Sequence, residues 1–198
     1  MDQTRTELKA LKTTVKTQGY TLAGLVGLMW GLEILDTVLG GSLDRFGIRP
    51  RVLASLPGVL AAPFLHGGFG HLISNTVPFV ILGWFVMLRG LDEFWVVSLM
   101  AALGSGLGTW LFGGANTLHI GASGVVFGYL GFLVARGYFE RSLLSMGLAI
   151  VTGMMFGGMI WGVLPTKVGI SWEGHLFGVI GGIIGAWLFS KLPPEESR

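Results

Sequence analysis

The chain has 198 residues, of which 52% are hydrophobic and only 12% charged, against roughly 25% charged residues in a soluble domain. A formal net charge of +2 is too small to indicate a nucleic-acid partner, and the lack of cysteine excludes disulfides and thiol chemistry. With a mean hydropathy of +0.70, this is the composition of an integral membrane protein.

In chain order, residues 1–19 read as a polar cytoplasmic segment carrying Arg5, Lys9, Lys12 and Lys16, unlike a cleaved signal peptide. A hydrocarbon core about 30 Å thick takes ~20 helical residues per crossing. Six apolar segments follow: Tyr20–Leu39, Leu72–Leu88, Phe94–Phe112, Gly121–Ala135, Leu143–Leu164 and Trp172–Ser190. The third and fourth are divided by the turn Gly113-Gly114-Ala115-Asn116-Thr117. The fourth is short, so its first residue is expected below the membrane surface. The expected fold is an all-α integral membrane bundle of six transmembrane helices over residues 20–190, with a long outside loop (about residues 40–71) and a cytoplasmic tail at 191–198.

Six crossings put both termini on one side. With the N-terminus inside, the cytoplasmic pieces hold nine basic residues: Arg5, Lys9, Lys12, Lys16, Arg89, Arg136, Arg141, Lys191 and Arg198. The outside pieces hold four: Arg45, Arg49, Arg51 and Lys167. That bias favours an N-in, C-in topology, and Trp84, Trp95, Trp110, Trp161, Trp172 and Trp187 fall toward segment ends as an aromatic belt requires.

In this topology the second, fourth and sixth segments all enter from outside. His71, Asn75, Ser123 and His175 then share one depth near the outer face, with His71 and Asn75 on one helical face. Polar groups at such depth are functional candidates. Small residues bring helices close: Gly124, Gly128 and Gly131 line the fourth segment, and Gly174, Gly178, Gly182 and Gly185 the sixth. Packing the two faces together would bring the Ser123 hydroxyl to the His175 ring, a nucleophile with its base. Taken singly, each residue has a plainer reading. A membrane Ser is ordinarily bonded to its own helix, and an Asn can simply join helices. A zinc site built from His66, His71, His119 and His175 is disfavoured by the missing H-E-x-x-H and missing cysteine.

Together these motifs resemble the rhomboid family of intramembrane serine proteases. The run from Phe64 to Asn75 is similar to the family's H-x(4)-H-x(3)-N entrance to the second helix, here on His66, His71 and Asn75. Gly121-Ala122-Ser123-Gly124 resembles its G-x-S-G serine motif, and His175 with Gly178 and Gly182 its H-x-x-G-x-x-x-G motif. Gly47-Ile48-Arg49-Pro50-Arg51 is similar to a segment of bacterial members.

The resemblance implies a Ser–His dyad of Ser123 and His175 acting on transmembrane protein substrates in the bilayer, with no cofactor and no metal. It implies oxyanion stabilisation by His71, Asn75 and the Ser123 backbone N–H, with Gly121, Gly178 and Phe127 in support. Phe127 stands where many members carry a Tyr beneath the base histidine. Two further readings stay open. One is an inactive rhomboid-like protein that binds membrane clients. The other is a small transporter, which would need paired midplane charges; Glu33 and Asp36 read instead as supports for the Arg-bearing loop. The fifth segment, rich in Gly and Met, is the expected substrate gate, and the loop from Pro165 to Ser171 is expected to cap the site. Compact size and the lack of a transit peptide point to a bacterial plasma membrane.

Overall fold

In a computed structural model, which describes residues 2–165 and 169–192, the regular structure among the described residues is helical, apart from one isolated β-bridge. Lys167 and most of the expected tail lie outside the described residues. The helices are α1 (Asp2–Val38), the one-turn α2 (Gly58–Ala61), α3 (Phe69–Met87), α4 (Leu91–Phe112), α5 (Ser123–Glu140), α6 (Leu143–Phe156) and α7 (Trp172–Phe189).

Two boundaries differ from the sequence reading. Residues 2–19 do not form a separate segment. They continue into the apolar stretch as one helix, since nothing in 2–38 breaks the hydrogen-bond ladder. The fifth apolar segment is not one α-helix either. α6 stops at Phe156 and the chain tightens into a 3-10 helix, Gly157–Val163, starting at the Gly157-Gly158 pair. Paired glycines give the α-helix its weakest propensity there.

By length and composition, α1, α3, α4, the α6 segment and α7 can each cross a membrane. α5 falls short of that mark, because its glycines, Arg136 and Glu140 dilute a helix of 18 residues. It lies instead at the centre, packed on α3, α4, α6 and α7, and its stretch Gly124–Leu133 is wholly buried. A surrounded helix needs no continuous apolar surface for lipid. Tyr129 is fully buried there, and its hydroxyl meets the Ser98 hydroxyl at 2.7 Å.

Glycines set the distance between α5 and its neighbours. A Cβ on Gly178 would collide with the Gly124 carbonyl, and one on Gly182 with the Gly128 carbonyl. A Cβ on Gly131 would stand 2.6 Å from the Val179 carbonyl oxygen. α4 joins the same arrangement: a Cβ on Gly104 would lie 2.7 Å from the Phe177 carbonyl, and one on Gly181 2.5 Å from that of Met100. α7 is thus gripped from two sides by backbone contact.

Between α1 and α3 the chain makes 3-10 turns at Asp44–Phe46, Leu53–Ser55 and Ala62–Phe64 around α2. Ile48 pairs with His119 through two backbone bonds of 2.9 Å, and the Trp110 indole donates to the Val52 carbonyl at 3.0 Å. Asp36 does support this loop, but through the Leu43 backbone N–H at 2.5 Å. Arg51 turns away and donates to the Leu111 carbonyl at 3.0 Å. Asp44 is pushed up to about 6, by burial first and then by Asp36 and Glu33.

At the other end of the bundle, Arg136 and Glu140 of α5 meet Glu93 of α4 and Arg89, which follows α3. Arg136 donates through Nε to Glu140 at 2.6 Å and through its guanidinium to both oxygens of Glu93. Only 11% of the Arg136 side chain is exposed. Arg89 and Arg136, counted from the sequence as topology signals, therefore also bind helix ends together. Arg136→Ala would leave the Glu93 carboxylate without its partner, Glu140 keeping Arg89, an expected loss of about 3–5 kcal/mol. Unfolding in mild detergent measures it, and an unchanged midpoint would show that the cluster adds nothing to stability.

Candidate active site

Ser123 is the first residue of α5, and His175 sits in the first turn of α7. The glycine contacts below them bring the two side chains together: His175 Nε2 lies 2.9 Å from Ser123 Oγ. Ser123 therefore uses its hydroxyl between helices rather than on its own helix. The other ring nitrogen, Nδ1, faces the Gly162 carbonyl at 2.9 Å. Phe127, one turn below Ser123, stacks on the His175 ring with centroids 4.0 Å apart and planes 5° from parallel. Tyr129 does not replace the missing tyrosine, because its hydroxyl is committed to Ser98 on the far side of α5.

His71 and Asn75 occupy the first turns of α3, and both line a cavity of about 680 Å³ with Ser123 and His175. The four candidates thus share one space. Asn75 is buried, and its amide donates one N–H back to the His71 carbonyl at 3.1 Å. Gly121 lets the ring of His71 approach. Its φ is +110°, a conformation L-residues rarely adopt, and a Cβ there would stand 2.6 Å from His71 Cε1.

The turn before Ser123 is fixed from the α3 side. Gly121 N–H donates to the Ala62 carbonyl at 2.8 Å, and Ala122 N–H to His66 Nε2 at 3.4 Å. Burial, and then the neighbouring His71, push His66 down from 6.5 to about 4. Its neutral ring can therefore accept that bond. The unfolded chain takes up the proton first, so this stability is present above pH 6.5 and lost as pH falls toward about 4. Sequence spacing placed His66 in the motif but could not give it this role.

His119 joins the roof of the cavity to its walls. Its Nε2 meets the Thr117 hydroxyl at 2.6 Å, and its Nδ1 the Ser171 hydroxyl at 2.8 Å. Burial lowers its pKa, with Glu173 opposing. The expected cap is described only in part, since residues 166–168 lie outside the described residues; Gly169, Ile170 and Ser171 line the cavity. A smaller space behind Ser123 is lined by Ser105 and Thr109 of α4, among others. Their spacing of four in an apolar segment was a legible polar stripe that the sequence reading passed over.

Comparison with known proteins agrees with this architecture. The family model for the rhomboid domain matches residues 54–192. The uncharacterized protein Rv1337 of Mycobacterium tuberculosis is 40% identical over 189 residues, covering 91% of this chain and 78% of that protein. Rhomboid-like protein 11, chloroplastic, of Arabidopsis thaliana is 29% identical over 148 residues, 68% of this chain and 52% of that protein. The rhomboid protease GlpG of Yersinia pestis is 30% identical over 129 residues, 63% of this chain and 45% of that protein. The chain belongs to the rhomboid family. It is an integral membrane protein whose relatives include named proteases.

Glycines of the site and glycines of α6 separate in a stability measurement. Gly121→Ala is expected to cost ~1–3 kcal/mol from its backbone conformation alone. Gly147→Ala, where a Cβ meets open space, is expected to stabilise by about 0.5–1 kcal/mol. Equal effects of the two would remove the argument for Gly121.

Proposed function

We propose that this protein is an intramembrane serine endopeptidase that cleaves single-pass membrane proteins in or near their transmembrane segment. The observation that carries the reading is the 2.9 Å contact between Ser123 Oγ and His175 Nε2 at the wall of a cavity in a rhomboid-family chain. Ser123 Oγ attacks the scissile carbonyl carbon while His175 Nε2 takes the hydroxyl proton. The tetrahedral oxyanion is met by the Ser123 backbone N–H at the α5 N-terminus, by the free amide N–H of Asn75 and by the His71 ring. His175 returns the proton to the departing amine, leaving an acyl-enzyme. Water, deprotonated by His175, then releases the acid and restores Ser123. The chemistry supplied by these residues calls for no metal and no cofactor.

Six crossings, α5 being the short central one, with both termini in the cytoplasm and the cavity opening toward the outer face, complete the reading. Residues 20–190 form the catalytic membrane domain, and residues 1–19 and 191–198 face the cytoplasm of a bacterial cell. The mycobacterial relatives support that setting. α6 with its 3-10 extension is the gate through which substrate enters: among its α-helical residues only Ser145 and Thr152 are buried, and Met154 is 83% exposed. The alternative of an inactive client-binding relative is not favoured, because nucleophile and base are both present and in contact.

Ser123→Ala and His175→Ala are each expected to abolish cleavage of a model transmembrane substrate by purified protein with the fold intact. The double variant is expected to be no worse than either single one, as for residues that act as a unit. Undiminished cleavage at the same bond by Ser123→Ala would overturn the assignment.

His71→Ala and Asn75→Ala are expected to lower turnover roughly 10–1,000-fold while fluorophosphonate labelling of Ser123 persists, since each removes one oxyanion donor among several. Wild-type turnover in both would exclude them from the site.

A further inference from the structure

We propose that Gly162, through its main-chain carbonyl, is the positioning residue of the His175 base, and that it ties the order of the Ser123–His175 pair to the seating of the α6 extension. This deepens the proposed function and rests on its assignment of Ser123 and His175. A neutral imidazole carries one N–H and one lone pair, and the partner of one nitrogen decides the role of the other. A carbonyl can only accept. With the Gly162 oxygen 2.9 Å from Nδ1, the proton sits on Nδ1, and the Nε2 lone pair is left facing the Ser123 hydroxyl. In Ser–His–Asp sites a carboxylate holds the tautomer in this way. Among the described residues no carboxylate bonds the His175 ring, so the backbone of the α6 extension fills that place.

The carbonyl is free for this because the 3-10 helix closes one residue earlier: Leu164 N–H bonds to the Trp161 oxygen at 3.3 Å. Space at position 162 admits no side chain. A Cβ would lie 2.8 Å from Phe127 Cζ and 3.2 Å from His175 Nδ1, wedging the stacked pair apart. The other glycines of this segment behave oppositely: around Gly147, Gly153, Gly157 and Gly158 a Cβ would meet nothing within 4 Å. Gly162 is therefore where the 3-10 extension of α6 is keyed into the site, and the key is the base itself. When the extension swings outward, Nδ1–H loses its acceptor and the ring is released to the other tautomer. When it reseats, the base is set.

The test reads the tautomer directly, with two-bond proton–nitrogen correlations of the imidazoles in the full-length protein in detergent. Only four histidines need assignment. The expected result for His175 is a protonated Nδ1 and an unprotonated Nε2. Replacing the Gly162–Val163 peptide bond by an ester weakens the Gly162 oxygen as an acceptor without adding volume. It is expected to bring up the Nε2–H tautomer and to lower kcat roughly 2–10-fold with KM nearly unchanged, the size of one hydrogen bond. Gly162→Ala is expected to lower kcat further, with the unfolding midpoint as its control. An Nε2–H tautomer in the unmodified protein, or an ester that changes neither tautomer nor kcat, overturns the proposal. Failure of the functional reading looks different: Ser123→Ala would still cleave, whatever the His175 tautomer.

Discussion

The approach of two glycine faces governs this structure. α5 and α7 touch backbone to backbone at Gly124–Gly178 and Gly128–Gly182, where a single methyl group would collide with a carbonyl oxygen. In a bilayer no hydrophobic effect presses helices together, so close van der Waals contact must hold them. That contact also fixes chemistry. Ser123 adjoins Gly124 and His175 lies about one turn before Gly178, and only a backbone separation this small lets their side chains meet at 2.9 Å. α4 reinforces the geometry by gripping α7 from another side at Gly104 and Gly181.

A second layer of constraint comes from the connections rather than the helices. The turn at Gly121 is held by Ala62 and His66, so the start of α5 is registered against the entrance to α3. The Ile48–His119 bridge ties the same turn to the first loop, and the His119 ring reaches on to Ser171 at the start of α7. Three helices that carry the polar residues are thereby locked in height at one end of the bundle. At the other end, Arg89, Glu93, Arg136 and Glu140 do the same with charge.

Firmness is distributed unevenly. α5 and α7 bury residues along most of their length, whereas α6 buries little and offers its glycines to open space. Local stability follows packing, so motion is expected in α6 rather than in the pair that carries Ser123 and His175. Phe127 and Gly162 stand at the boundary. They press on the His175 ring from the rigid side and the loose side respectively.

Much of this was legible in the sequence. Composition required a membrane protein, and the spacing of His71, Asn75, Ser123 and His175 with the glycine stripes pointed to one shared depth and one helix pair, because lipid forces every crossing into a helix of known rise. The family followed from the order of its motifs. Only the tertiary structure decided the rest. It set α5 at the centre, turned Arg136 from a topology signal into a clamp, gave His66 the Ala122 N–H, and put the Gly162 carbonyl on the base thirteen residues later in the chain. These are contacts of backbone atoms or of distant ends. A backbone carbonyl is present at every residue, so no pattern of side chains marks the one that the fold will use.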